Sequence, residues 1–327
     1  MNTLALKTKT LHKVLSHLLK VILFVVLFGL IYWQIDSRSL EFNLLENFQE
    51  SFSWKQFPFL FSALLLMPVN IFLESTKWRL FVNEFIEDFD IIQALKSMLC
   101  GSFFGFISPN RVGEFIGRLN LMPKESRSRA LTAGYWGGLA QFIVTFSIGI
   151  YMGGRSIVHF ANLKSLDVYT IPFALGIILC TSLIYFNLKW VLSKVSKFPI
   201  LRKITVKYPI EYDVPRKKLS IILVVTLFRY LVYLSQYVYL LYFFGVDLPY
   251  EVLFSGVSTM LVIHTMFPSV PFIDLGVKGN ALVLLLSILT DNELGIVLAV
   301  FSIWVINIII PAIAGYYFFV TGKKSLE

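Results

Sequence analysis

The chain has 327 residues, 57% of them hydrophobic and only 15% charged, with a mean hydropathy of +0.73. Soluble globular domains carry about 25% charged residues, so a soluble fold is excluded and lipid is the main solvent. The net charge of +9 does not point to nucleic acid, because the basic residues are distributed as a membrane protein distributes them.

Residues 1–17 form a basic N-terminus with Lys7, Lys9 and Lys13, followed by a first apolar run at 18–35. That run ends in YWQID without a small-x-small cleavage site, so it is expected to be a retained span and not a signal peptide. Further runs at 57–74, 130–152, 169–188, 219–244 and 294–320 bring the expected full spans to six. Each is close to the roughly 20 residues that cross a hydrocarbon core of about 30 Å. An even count puts both ends on one side. The loop 189–218 holds nine Lys and Arg against Glu211 and Asp213, which predicts a cytoplasmic loop. The same rule predicts a cytoplasmic N-terminus and a cytoplasmic tail at 321–327. It leaves the acidic loop 36–55 outside and returns Lys77 and Arg79 to the cytoplasm. No stretch is left over for a soluble domain, so residues 1–327 are expected to be one multi-pass domain of the cell (inner) membrane. Cys100 and Cys180 lie in apolar runs without a CxxC spacing and imply no redox or metal chemistry.

Two apolar segments, 91–121 and 252–290, are each interrupted by proline, glycine and charge. Each is expected to be a pair of short helices, re-entrant or fully spanning, with halves of about 13 to 17 residues. Broken helices survive at membrane depth only where protein or a wet cavity satisfies the freed backbone. The basic flanks of the first pair predict entry from the cytoplasm. The acidic flanks of the second, Asp247, Glu251, Asp291 and Glu293, predict entry from outside, an arrangement that forms an inverted repeat. The expected fold class is therefore an all-α polytopic membrane bundle.

The interruption of the first pair reads SPNRVGEFIGR, residues 108–118. Ser108 suits an N-cap and Pro109 the first helical position, which predicts a helix from there to about Leu119. Arg111, Glu114 and Arg118 then share one face, with Glu114 and Arg118 in the favourable order for pairing. A helix N-terminus with a surplus arginine is an anion site. Gly101 and Gly105, then Gly113 and Gly117, form small-xxx-small pairs on either side of the break, which lets two backbones approach closely. Pro109 and Gly113 are the expected hinge residues.

These residues resemble a known family. Ser108, Pro109, Arg111, Gly113 and Glu114 are similar to the S/T-P-x-R-x-G-E signature of the transmembrane region of lysylphosphatidylglycerol synthases. Lys77, Trp78 and Arg79 look like the basic-tryptophan pair that follows the second span in that family, and Arg229 matches an arginine of a later span. The stretch PFIDLGVKGNAL, 271–282, is similar to P-G-G-L-G-x-x-E-x-A-L at Leu275, Gly276, Ala281 and Leu282. It departs where Ile273 and Asp274 replace the glycine pair and where Gly279 stands for the acid. The resemblance implies a flippase-like, stand-alone member without the soluble synthase domain, and hence lipid transport.

In the second broken segment Asp274 is expected to cap a helix beginning at Leu275, with Lys278 one turn on and Pro271 and Gly276 as hinges. In the span 219–244, Arg229, Tyr233 and Gln236 share a stripe that must face the bundle, with Glu114 as a candidate partner for Arg229. His264 reads as a core histidine, without the companions of a zinc site. Pro311 predicts a kink in the last span.

Together these residues predict a lipid translocator or lipid-binding transport protein handling an anionic or aminoacylated headgroup. Ser108, Arg111, Glu114, Arg118, Arg229, Asp274 and Lys278 are the expected headgroup-binding residues. Glu114 would hold the arginines, bind a headgroup amine or take a proton. The expected partners are membrane lipids with anionic or polyprenyl-phosphate-type heads, and a second copy of the chain or a lipid-modifying enzyme; no cofactor, metal or nucleic acid is expected. Two alternatives stand beside this reading. One is a membrane-embedded enzyme acting on lipid-linked substrates with Glu114 or Asp274 as base, although no catalytic constellation is visible. The other is a non-transporting partner of a lipid-modifying enzyme.

Overall fold

A computed structural model describes residues 54–108, 111–119, 122–160, 164–195, 214–266 and 271–323. The described residues contain helices and no strand: α1 Phe57–Val82, α2 Ile91–Ile107, α3 Gly113–Leu119, α4 Arg127–Phe160, α5 Lys164–Phe186, α6 Leu188–Val195, α7 Arg216–Phe243, α8 Tyr250–Met266, α9 Pro271–Leu286, α10 Glu293–Trp304 and α11 Ile310–Lys323. A π-helical turn, Val305–Ile309, joins the last two.

Four helices are long and apolar enough to cross a membrane: Trp54–Val82, Arg127–Gly153, Arg216–Phe243 and Glu293–Thr321. They correspond to four of the six expected spans. The expected span 18–35 lies outside the described residues. The span 169–188 falls on α5, a helix of 23 residues, and on the first residue of α6; within α5, Leu175–Phe186 is apolar. Of the expected basic loop 189–218, residues 188–195 form α6 and residues 216–218 open α7, where Lys218 pairs with Glu84.

The α1 helix shows why lipid stabilises this bundle. Phe61, Leu65, Val69 and Phe72 are exposed at helical spacing, whereas Asn70, Glu74 and Lys77 are buried. An apolar outside and a polar inside invert the pattern of a soluble surface helix, and only an apolar solvent makes that favourable. The helix also runs past Glu74, the expected end of the span, to Val82. Lys77 is therefore not in a loop: it is 5% exposed within the helix. The charge of Glu74 does not end the helix because its partners are supplied from inside the bundle.

Each broken segment folds back on itself as an antiparallel helical hairpin. α2 opens with a capping box, Asp90 accepting from the Gln93 amide while the Gln93 side chain accepts from the Asp90 amide. It ends at Ser108, whose backbone is extended. α3 then returns along α2 through the glycines. A Cβ on Gly117 would lie 2.5 Å from the Cys100 carbonyl oxygen and 2.8 Å from Gly101 Cα, and one on Gly105 would lie 3.2 Å from Glu114 Cβ. α8 and α9 form the second hairpin, with Gly256 facing Leu282 and Leu286. The expected helix lengths hold for α2 (17 residues), α8 (17) and α9 (16), but α3 has only seven. α7 packs on α1 and α4, α8 on α4, α10 on α7 and α9, and α11 on α2, so both hairpins adjoin the long helices.

The last span is irregular just before Pro311, in the π-helical turn that holds Asn307, whose carbonyl the proline cannot bond. Pro311 lies in the first turn of α11, immediately after the π-helical turn.

Candidate functional site

The first hairpin positions its motif differently from a simple capped helix. Pro109 lies outside the described residues. Ser108 is the residue after α2, and α3 begins only at Gly113, so Arg111 precedes the helix. Ser108 nonetheless serves α3: its Oγ accepts from the Gly113 amide at 2.7 Å. Arg111 has φ of 54°, in the left-handed region that side chains other than glycine rarely adopt. The close approach of the Gly113 backbone to Phe104 and Ser108 is what demands a glycine there: a Cβ would lie 2.6 Å from Ser108 Oγ. With seven residues, α3 has little dipole to offer an anion, so the positive potential of the motif comes from its arginines.

Those arginines converge on two carboxylates. Arg111 Nη2 lies 3.2 Å from Glu114 Oε2, and Arg118 Nη2 pairs with Glu114 Oε1. Arg118 also reaches Glu74 of α1 at 3.4 Å. Glu74 is the centre of the cluster, with Lys77 Nζ at 2.6 Å and Arg229 Nε at 3.2 Å. The expected pairing of Arg229 with Glu114 is thus replaced by Glu74, which α1 brings closer because α1 and α7 pack along their length. The other side of Arg229 donates to Gln141 Oε1 at 2.9 Å. Trp78 ties this cluster to the motif: its Nε1 donates to Ser97 Oγ at 3.1 Å, Ser97 donates to the Arg118 carbonyl, and the Arg118 guanidinium lies 5.2 Å from the Trp78 ring centre.

The second hairpin brings its own charges to the same region. Asp274 is not an N-cap, because α9 starts at Pro271 and Asp274 sits inside the first turn. Its Oδ2 accepts from Lys278 Nζ at 3.0 Å, and its Oδ1 pairs with His264 Nε2 of α8. Gly276 lies within α9, and its carbonyl accepts from Asn280.

A cavity of about 290 Å³ joins these parts, with Glu74, Arg111, Glu114, Arg229, His264 and Lys278 in its wall. Both hairpins and the long helices α1, α4 and α7 contribute to it. Of the sequence-expected residues, Arg111, Glu114, Arg229 and Lys278 line the cavity directly. Arg118 and Asp274 stand behind them as ion-pair partners, and Ser108 shapes the turn that carries Arg111. Pro311 lines the wall as well, beside Asn307 of the π-helical turn.

Sequence reasoning missed Glu74, Asn70, Gln141 and Asn307. The amides form a ladder leading away from the cavity: Asn70 Nδ2 donates to Asn307 Oδ1 at 2.9 Å, Asn307 Nδ2 to Gln236 Oε1 at 3.2 Å, and Gln236 Nε2 to the Ala63 carbonyl at 2.9 Å. The available signal was the i, i+3 spacing of Glu74 and Lys77, a pair that stabilises charge inside a helix and does not have to mark its end.

No protein-family model matches the chain, and a search of curated proteins finds no matching sequence.

Proposed function

We propose that this protein is a lipid translocator of the flippase kind, or a lipid-binding transport protein, holding an anionic or aminoacylated headgroup in the cavity between its two hairpins. The observation that carries this reading is the charge inside the bundle. Arginine and lysine outnumber the carboxylates around a cavity in a chain whose long helices present apolar faces outward. Ionisable groups in such an interior are costly and mark a substrate pathway more often than a structural need. The likeness of Ser108, Arg111, Gly113 and Glu114 to the lysylphosphatidylglycerol synthase membrane region supports the same reading.

In this proposal six spans hold the bundle in the cell membrane with both termini cytoplasmic, and the two hairpins enter from opposite faces as an inverted repeat. Their tips then meet near the bilayer midplane, where transporters of that design bind substrate. Arg111, Arg229 and Lys278 hold the headgroup while Arg118 and Glu114 fix the geometry of Arg111. The acyl chains remain in lipid. Reconstitution of the purified chain into vesicles carrying fluorescent lipids in both leaflets tests the proposal. Movement of lipid between leaflets faster than in protein-free vesicles supports it, and equal rates for every headgroup tried refute it.

A further inference from the structure

We infer that the cavity selects a phosphate head carrying two negative charges, a phosphomonoester, over the single charge of a phosphodiester. The inference rests on the anionic-headgroup reading above and names its substrate class. It follows from a charge imbalance. Five cations, Lys77, Arg111, Arg118, Arg229 and Lys278, and three carboxylates, Glu74, Glu114 and Asp274, form the ion-pair clusters at the cavity among the described residues. Among these eight lysine, arginine and carboxylate groups a surplus of two positive charges remains. The buried cations Lys77, Arg118 and Lys278 each have a carboxylate partner, so the surplus falls on Arg111 and Arg229, both in the cavity wall.

Net charge of one sign in the wall of a bundle cavity is unfavourable, and a ligand of matching opposite charge offsets it. A phosphomonoester, whose second pKa is near 6, carries close to two negative charges at pH 7.5 and matches the surplus. A phosphodiester leaves one positive charge unmatched. An aminoacylated head, with its added amine, leaves more, so the narrower class also sets that branch aside.

Two further observations agree. Arg111 is the most open of the cations whose exposure is resolved in these ion pairs, its side chain 41% exposed, and it is held at φ of 54°. Left-handed backbone at a residue other than glycine is strain that persists at ligand clamps because surrounding contacts enforce it. The cavity of about 290 Å³ is at the small end for organic ligands, which commonly occupy roughly 300–1,000 Å³. That is room for a compact head, with the wall residues Leu99, Leu261 and Ile308 supplying apolar surface next to it.

The full chain in phosphatidylcholine nanodiscs at pH 7.5 is titrated with dioleoyl phosphatidate, dioleoyl phosphatidylglycerol and inorganic phosphate. The expected result is phosphatidate binding at least tenfold tighter than phosphatidylglycerol, with that ratio falling towards one in Arg111→Gln and in Lys278→Ala. Circular dichroism of each variant verifies that it is folded, and the two variants lie on different hairpins, so failure of one to fold leaves the other. Equal affinity for the two lipids overturns the dianion inference and leaves the lipid reading intact. Tight binding of inorganic phosphate without either lipid supports the dianion class and refutes the lipid reading. Binding of none of the three overturns both. An unchanged preference for phosphatidate in both folded variants overturns the assignment to this cavity.

Discussion

Arg229 Nε of α7 lies 3.2 Å from Glu74 Oε2 of α1, so the two long helices that pack most extensively are also joined by an ion pair inside the bundle. Because Lys77 and Arg118 share the same carboxylate, Glu74 neutralises charge contributed by three elements.

Removing that carboxylate takes an ion-pair partner from three cations, of which Arg118 keeps Glu114 and Arg229 keeps Gln141. Glu74→Gln is expected to destabilise the protein by about 3–5 kcal/mol, the usual effect of breaking a buried pair from one side. Unfolding in detergent monitored by circular dichroism gives the value. Adding Lys77→Met to Glu74→Gln should restore part of the loss, because it removes one of the unpaired charges. A loss below about 1 kcal/mol in the single variant would mean that the cluster is solvated.

Little of this was legible in the sequence, and Glu74 shows why. A carboxylate and a lysine three residues apart at the end of an apolar run look the same whether the helix ends in the headgroups or continues inside protein. The difference lies in Arg118 and Arg229, which are 44 and 155 positions away in the chain. The same limit applied to Arg229, whose need for a buried partner was evident while the partner was not. By contrast, the helical class and four of the long spans follow from local hydropathy, which requires no knowledge of neighbours. The two hairpins were legible for a similar reason, since glycine, proline and charge interrupt an apolar run locally. The true start of α3 at Gly113 was not, because the packing of Gly113 on Phe104 and Ser108 cannot be read from local sequence.

The glycine contacts give a clean comparison. Gly117→Ala would drive a Cβ to 2.5 Å from the Cys100 carbonyl oxygen, backbone that cannot move without parting α2 from α3. Gly138, in α4, has nothing within 4 Å of the same construction. Gly138→Ala should therefore be neutral or stabilising by up to about 1 kcal/mol, the helix preference of alanine over glycine. Gly117→Ala should lower the midpoint of thermal unfolding, and equal midpoints for the two variants would contradict the close packing of the hairpin.

The amide ladder predicts a third effect. Asn307→Leu strands the Gln236 oxygen and the Asn70 amide, both buried, at a cost of about 1–3 kcal/mol. Replacing Asn70 and Asn307 together by leucine should cost less than the sum of the single changes, because each single change leaves a polar group unmatched. Additive losses in a double-mutant cycle would show that the two amides do not act on one another.

The most direct test of the central claim is leaflet-to-leaflet lipid movement in vesicles containing the wild-type protein, Arg111→Ala, Glu114→Gln or Lys278→Ala, with Gly138→Ala as the control. The three cavity variants should lose at least tenfold in rate while Gly138→Ala keeps the wild-type rate. Wild-type rates in all three folded cavity variants would contradict it.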